Sequence, residues 1–270
     1  MHRFFVPSDS LKGNQVSIRD LQAHQIARVL RMQPGDMVIL LDNSGWEIET
    51  RLTSVDGNLV QGEVLRRRLA GGEPRTKISL YQGVLKGKHL ELVLQKGTEL
   101  GVVEFVPLIA DRCVVSDLDA VEKKRRRWEW IIQEAAEQCR RGRKPVLRAP
   151  ILFPRACEEA RQSGGLSLIL WEGERQVGLR DVLRKDPTTV VAAHRGGRSA
   201  SDSAEHRDGR WAPFNISLFV GPEGGFAPDE IVLAQRYGLV PVTLGPRILR
   251  SETVGLVVAA SILYELGDMG

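Results

Sequence analysis

Two periodicities of apolar and polar positions alternate along this chain. In the first 72 residues the period is mostly two, broken by turn residues every few positions. Residues 4–6, 16–18 and 37–41 read as short strands, and residues 46–52 and 59–65 as a hairpin around Asp56-Gly57-Asn58. Between them Asp20 is placed to cap a short helix running to Leu30, with Leu21, Ile26, Val29 and Leu30 near one face. Several short strands with turns predict a small β-barrel. The polar stretch AGGEPR at 70–75 marks a domain boundary.

Beyond it the period changes to that of an α/β layer structure. A strand at 78–84, a helix at 88–100 striped by Leu90, Val93, Leu94 and Leu100, and a strand at 102–109 predict a parallel pair with a crossover. Residues 119–141 read as one long helix with Trp128, Ile132, Ala135 and Cys139 in a stripe, stopped by the prolines at 145 and 150. Glu134, Glu137 and Gln138 fall on its surface. A helix at 154–162, a strand at 166–170, a further strand at 190–193 and a closing helix from 251 to 266 complete the pattern. That last helix has a broad apolar face of Val254, Val257, Val258, Ser261, Ile262 and Leu266. Residues 194–213 lack an apolar stripe and are rich in Gly, Ser, Arg and Asp, which predicts a flexible insertion.

The stretch 218–253 carries the chemistry. Leu218-Phe219-Val220 runs into GPEGGF, and Pro241-Val242-Thr243 runs into LGPRILRSET; each loop then opens a helix whose first turn is acidic. In an open α/β sheet, ligands bind beyond the carboxyl ends of the strands, so two such loops predict one pocket or, failing a ligand, two ordinary strand-to-helix turns. Neither loop is a Gly-x-Gly-x-x-Gly fingerprint or a phosphate-binding P-loop. Gly224 is expected to adopt backbone dihedrals reserved for glycine and to admit a ligand.

Composition narrows the class. The 270 residues are 42% hydrophobic, enough for one or two domains. No run of eighteen apolar residues is present and no long apolar run follows His2 and Arg3, so neither a membrane span nor a signal peptide is expected, and a cytoplasmic location is. Three cysteines at 113, 139 and 157 fit neither a disulfide framework nor a zinc pattern, and no metal is expected. Net charge is only +4, yet basic residues cluster at 66–68, 123–127 and 140–144. Such blocks either neutralise phosphates or form solvated faces.

The two loops GPEGGF and LGPRILRSETV resemble those of the SPOUT methyltransferases, and more narrowly the RsmE family of 16S ribosomal RNA uridine-N3 methyltransferases. MHRFFV at the start, HQIARVLR at 24–31, KGKHLELVLQKGTELGV at 86–102 and EAAEQCRR at 134–141 belong to the same resemblance, which spans nearly the whole chain. It implies an α/β fold: a PUA-like RNA-binding β-barrel at 1–72, then a SPOUT domain at 73–270 with a deep trefoil knot. It implies S-adenosylmethionine as methyl donor, S-adenosylhomocysteine as product, the small ribosomal subunit as partner, and a homodimer through the knot region.

Carried over residue by residue, the resemblance implies donor binding by Gly221, Glu223, Gly224, Gly225, Leu244, Gly245, Arg247, Ile248, Leu249 and Thr253. Glu172, an acid just after a strand, is added as a partner for the donor's ribose. Arg250 and Glu252 carry the catalytic role, unless they form only a structural ion pair. Arg3, His24, Arg28 and Arg31, with Arg28 and Arg31 three apart on one helical face, and Lys86 and Lys88 are the RNA-contact residues; plain surface charge is the other reading. Glu134 and Gln138 lie in a region the family places near its active site. Two other functions stay open: methylation of another RNA, either tRNA or a ribose 2′-hydroxyl, and non-catalytic RNA binding during assembly.

Overall fold

The computed structural model describes residues 1–115, 117–184 and 215–269, and these fall into two compact units. The insertion expected at 194–213 and the strand expected at 190–193 lie outside the described residues.

The first unit comprises residues 1–73 and 132–144. Its strands are β1 (His2–Phe5), β2 (Leu11–Lys12), β3 (Gln15–Arg19), β4 (Met37–Leu41), β5 (Trp46–Val55) and β6 (Leu59–Leu69). They form one six-stranded sheet in the order β1-β4-β5-β6-β3-β2. Only β1 and β4 pair in parallel. The expected barrel is therefore a mixed sheet whose recorded pairing leaves β1 and β2 as edges. Register shifts at Glu49/Thr50 and Leu52/Ser54 bend the long β5–β6 hairpin. Phe4, Ile18, Ile26, Leu40, Ile48, Leu52 and Val60 are buried together against this sheet.

The expected helix from Asp20 to Leu30 is two structures. Residues Asp20–His24 form α1, and Gln25–Val29 wind on as a π-helix. Asp20 does not cap it: Asp20 is the first helical residue, at φ +58, and Arg19 holds the cap position with no side-chain hydrogen bond. Ala23 and Ile26 are the buried positions, while Leu21 is 77% and Val29 65% exposed. The wider π turn breaks the 3.6-residue spacing on which the predicted stripe depended.

The helix expected over 119–141 divides into α3 (Leu118–Glu122) and α4 (Arg125–Gln138), with the break inside the cationic run 123–127. Arg140 at φ +65 lies just beyond the end of α4. The end of α4 belongs to the first unit, where Ala136 packs on Phe5, Ile39 and Leu41. Glu137 accepts the Phe5 N–H at 2.9 Å, and burial pushes its carboxyl up. Glu137 is thus an internal acceptor rather than a surface residue, whereas Glu134 and Gln138 are exposed.

The second unit comprises residues 74–131 and 145–270. Its strands are β7 (Lys77–Gly83), β8 (Glu104–Ile109), β9 (Val146–Leu147), β10 (Ile151–Leu152), β11 (Leu166–Leu170), β12 (Asn215–Val220) and β13 (Val240–Val242). All pair in parallel, in the order β10-β8-β7-β12-β11-β13, with β9 also beside β8. Parallel strands covered on both faces read as unbroken apolar runs, and β12 is buried from Ile216 to Val220.

The helices of this unit are α2 (His89–Leu100), α5 (Phe153–Ser163), α6 (Leu179–Arg184), α7 (Pro228–Arg236) and α8 (Ser251–Glu265), besides α3 and the first half of α4. Tyr81 stacks on Phe219 with ring centroids 4.3 Å apart and joins Phe153 of α5 and Ile231 of α7 in one cluster. Each fully buried phenyl group there contributes about 1.5–3 kcal/mol. The neighbouring Leu80 points to the other face, as strand alternation requires, where α8 packs on β7, β12 and α2. The chain therefore leaves β12, adds β13 at the sheet edge, and returns across the centre as α8.

Candidate active site

Four strands of the second unit end at one place. Loops after β11, β12 and β13, with His89 of the helix that follows β7, line a cavity of about 810 Å³. Its apolar wall comes from Leu170, Trp171, Val220, Phe226, Leu244 and Leu249, and its charged groups include Glu172, Glu174, Arg175, Glu223, Arg247, Arg250 and Glu252.

Backbone contacts lock these loops together. The end of β7 lies so close to the GPEGGF loop that a Cβ on Gly83 would fall 2.4 Å from the Pro222 nitrogen and 2.8 Å from the Gly221 carbonyl carbon. The Lys86 N–H donates to Glu223 Oε1 at 2.8 Å, and Arg112 Nη1 donates to the Gly224 carbonyl at 2.8 Å. Gly225 closes the turn by donating to the Pro222 carbonyl at 2.9 Å with φ +67. The positive dihedral expected at Gly224 thus belongs to Gly225; what restricts Gly224 is Arg112, whose Cβ would lie 3.0 Å from a Cβ there.

Side chains fix the other walls. Gln82 at the end of β7 donates to Ser251 Oγ at 3.1 Å, and Ser251 donates to the Gly221 carbonyl, so the first residue of α8 holds the glycine loop. The buried Gln82 Oε1 has no partner among the described residues. Glu174 Oε1 accepts three consecutive N–H groups, from Arg175, Gln176 and Val177, at 2.7–3.1 Å and shapes the loop after β11. Gly245 turns with φ +106 and donates to Thr243 Oγ1 at 3.2 Å. Behind the site Glu230 accepts the N–H groups of Ala227 and Asp111 at the start of α7, and burial pushes its carboxyl up.

Of the residues singled out from sequence, Glu172, Gly221, Glu223, Gly225, Leu244, Gly245, Arg247, Ile248, Leu249, Arg250 and Glu252 line this cavity. Gly224 turns toward Arg112, and Thr253 is exposed one step along α8; neither lines it. Lys86 and Lys88 are exposed on the loop after β7. Arg250 caps α8 with its side chain 81% exposed, and its Nη1 lies 4.0 Å from Glu252 Oε1, which is a loose pair.

In the first unit Arg3 is committed internally, 2.7 Å from Glu47 with only 12% of its side chain exposed. His24, Arg28 and Arg31 are exposed, but they share no α-helical face: Arg28 sits in the π-helix and Arg31 follows it at φ +53. Sequence reasoning missed His89, Trp171, Glu174, Arg175 and Phe226 as lining residues. His89 had a signal, since it opens a helix just past the carboxyl end of a strand.

Residues 72–263 match the model of an RNA methyltransferase domain, and residues 18–65 that of an RNA methyltransferase PUA domain. The chain belongs to the RsmE family. It is 30% identical to ribosomal RNA small subunit methyltransferase E of Bacillus subtilis, over 98% of this chain and 97% of that one. It is also 30% identical to the protein of that name from Synechocystis, over 97% and 77%. Among solved structures, ribosomal RNA small subunit methyltransferase E from Neisseria gonorrhoeae, bound to S-adenosyl methionine, superposes with a TM-score of 0.81 at 28% identity over the whole of both chains. A methyltransferase from Legionella pneumophila, in complex with the cofactor SAM, gives 0.79 at 29% identity over 97% of each.

The match to the PUA model falls in the first unit, and the cavity lies wholly in the second. Among the described residues no group of three or more His, Cys, Asp or Glu side chains is placed to hold a metal ion. No described helix is long and apolar enough to cross a membrane. Burial pushes the Cys157 thiol up to about 12, which leaves it unreactive.

Proposed function

We propose that this protein transfers the methyl group of S-adenosylmethionine to N3 of a uridine in the 16S RNA of the small ribosomal subunit. The observation that carries this reading is the cavity lined by the loops after β11, β12 and β13 and by His89 in an RsmE-family chain. The donor fits its walls. Backbone at Gly221, Gly225 and Gly245 leaves room for close approach, the leucines at 244 and 249 with Ile248 offer an apolar slot for adenine, and Glu172 is an acceptor for ribose hydroxyls. The carboxylates of Glu172, Glu174, Glu223 and Glu252 suit a cationic ligand.

When bound, the donor supplies an activated methyl group on a sulfonium, and S-adenosylhomocysteine remains. The protein's work is to hold the uridine nitrogen in line with that methyl and to remove the N3 proton. Arg250, exposed at the mouth beside Glu252, is suited to hold the uridine's oxygens or its phosphate. The exposed His24, Arg28 and Arg31 of the first unit, with Lys86 and Lys88, are suited to the RNA backbone.

The reading extends to a division of labour between residues 1–72, for RNA, and 73–270, for methyl transfer. It includes a trefoil knot formed where the chain passes from β13 back across the sheet as α8, a homodimer through that region, and residence in the cytoplasm. Exposed Val257 and Tyr264 on α8 favour the dimer.

Mass-spectrometric mapping of nucleotides after incubation with small subunits, free 16S RNA and tRNA tests the reaction. N3-methyluridine in small-subunit RNA is expected. Label in tRNA or on a ribose would transfer the activity to another RNA, and absence of donor binding by calorimetry would leave a non-catalytic RNA-binding factor.

A further inference from the structure

We propose that His89 is the group that takes the N3 proton from the target uridine, with Glu252 as the positioning residue that orients its ring. The inference rests on the methyltransferase reading above and names a residue for a step that reading leaves without one.

The imide N–H of uridine must be lost for the nitrogen to attack a methyl carbon, so the cavity needs an acceptor. Most of its polar groups cannot serve. Arg175, Arg247 and Arg250 are guanidiniums and stay protonated. Glu174 Oε1 already accepts three backbone N–H groups, and Glu223 is engaged by the Lys86 N–H. Ser251 is spent between Gln82 and the Gly221 carbonyl. Glu172 stands beside Gly225, where a Cβ would meet its carboxylate at 3.5 Å, on the loop side suited to the donor.

His89 remains. It is the first residue of α2 and lines the cavity together with Arg250, Ser251 and Glu252 at the start of α8. Its Nδ1 lies 3.4 Å from Glu252 Oε1; the histidine side chain is 49% exposed and the glutamate 12%. A carboxylate beside one ring nitrogen favours the tautomer with the proton there and leaves the other nitrogen as an acceptor. The charged groups around the pair are Arg250, 4.0 Å from the same Glu252 oxygen, Lys86 and Lys88 on the preceding loop, and Glu223, which holds that loop through the Lys86 N–H.

The step balances. The N3 proton moves to Nε2 of His89, and the N3 electron pair forms the new bond to the methyl carbon. The carbon–sulfur bond breaks, its electron pair staying on sulfur, so the sulfonium donor becomes a neutral thioether. The resulting imidazolium sits beside the Glu252 carboxylate and returns its proton to water. Arg250 compensates the charge on the uridine oxygens while the anion exists.

The test is single-turnover methylation of small-subunit RNA across pH by the full-length protein, with donor affinity by calorimetry and thermal melting as controls. His89→Gln and His89→Ala should fold and bind donor within about twofold of the parent, yet transfer methyl about 100-fold or more slowly. They should lose the acid limb of the pH–rate profile, and added imidazole should restore turnover to the Ala variant. Glu252→Gln should slow transfer less than His89→Gln. A His89→Gln protein with the parent's rate and pH profile overturns the proposal. So does one whose donor affinity falls in step with its rate, because His89 would then be structural. A parent protein that methylates no uridine overturns the methyltransferase reading itself, a different result from a working enzyme indifferent to His89.

Discussion

Lys86 and Glu223 join the loop after β7 to the loop after β12: the lysine's backbone N–H donates to the glutamate's Oε1 at 2.8 Å. The glutamate of GPEGGF therefore acts first on the protein's own chain. Glu223→Ala is expected to loosen the glycine loop and weaken donor binding by about tenfold, the worth of one hydrogen bond to a charged acceptor. Glu223→Gln keeps a carbonyl acceptor and should retain most of the affinity. Calorimetry on the two variants checks this; equal losses would mean the charge, and not the tether, matters.

Gly83 lies under Pro222 with no space for a side chain. Gly83→Ala must push the glycine loop away from β7, and overpacking of this kind costs about 1–3 kcal/mol. A lower melting temperature with weakened donor binding is expected. An unchanged melt and unchanged affinity would show that the loop gives way freely.

Arg250 reaches from the α8 cap with four-fifths of its side chain exposed and only a loose partner in Glu252. Arg250→Ala should lower turnover about 100-fold while donor affinity stays within a factor of about two. If both fall together, the arginine holds the donor instead of the target.

Glu47 gives the first unit an acid-sensitive joint. Burial pushes its carboxyl up, but hydrogen bonds from Arg3 and Arg68 more than offset this, so it titrates below the usual carboxylate range. The unfolded chain takes up the proton first as pH falls. The stabilisation is therefore complete above the ordinary carboxylate range and is lost as pH drops through the lowered folded value. Melting followed from pH 7 to pH 3 should show this loss. Glu47→Gln should flatten the slope, and Arg3→Ala should cost about 1–3 kcal/mol at neutral pH.

Much of this was legible in the chain because apolar runs and turn residues are local signals. The apolar run Leu218-Phe219-Val220 read as a strand and forms the end of β12, and Asp229 and Glu230 marked the first turn of a helix. Where the signal is not local, sequence reading failed. The π turn at 25–29 exposes Val29 through a change of helical pitch that no residue announces. Gly224 and Gly225 are alike in sequence, and only the turn geometry separates the one held by Arg112 from the one with positive φ. His89 was passed over because Lys86 and Lys88 made its surroundings look like a surface for RNA. Its meaning appears only when α8 brings Glu252 beside it from 163 residues further along the chain.

The first unit is not a continuous piece of chain: it needs residues 132–144, which deliver Ala136 to Phe5, Ile39 and Leu41. During synthesis the β-strands of 1–69 emerge first, yet the apolar patch on β1 and β4 must wait for the end of α4 to leave the ribosome. At roughly 5–20 residues per second that wait lasts several seconds. The nascent protein thus carries an uncapped hydrophobic surface through the interval in which β7, α2 and β8 appear, a window open to chaperones.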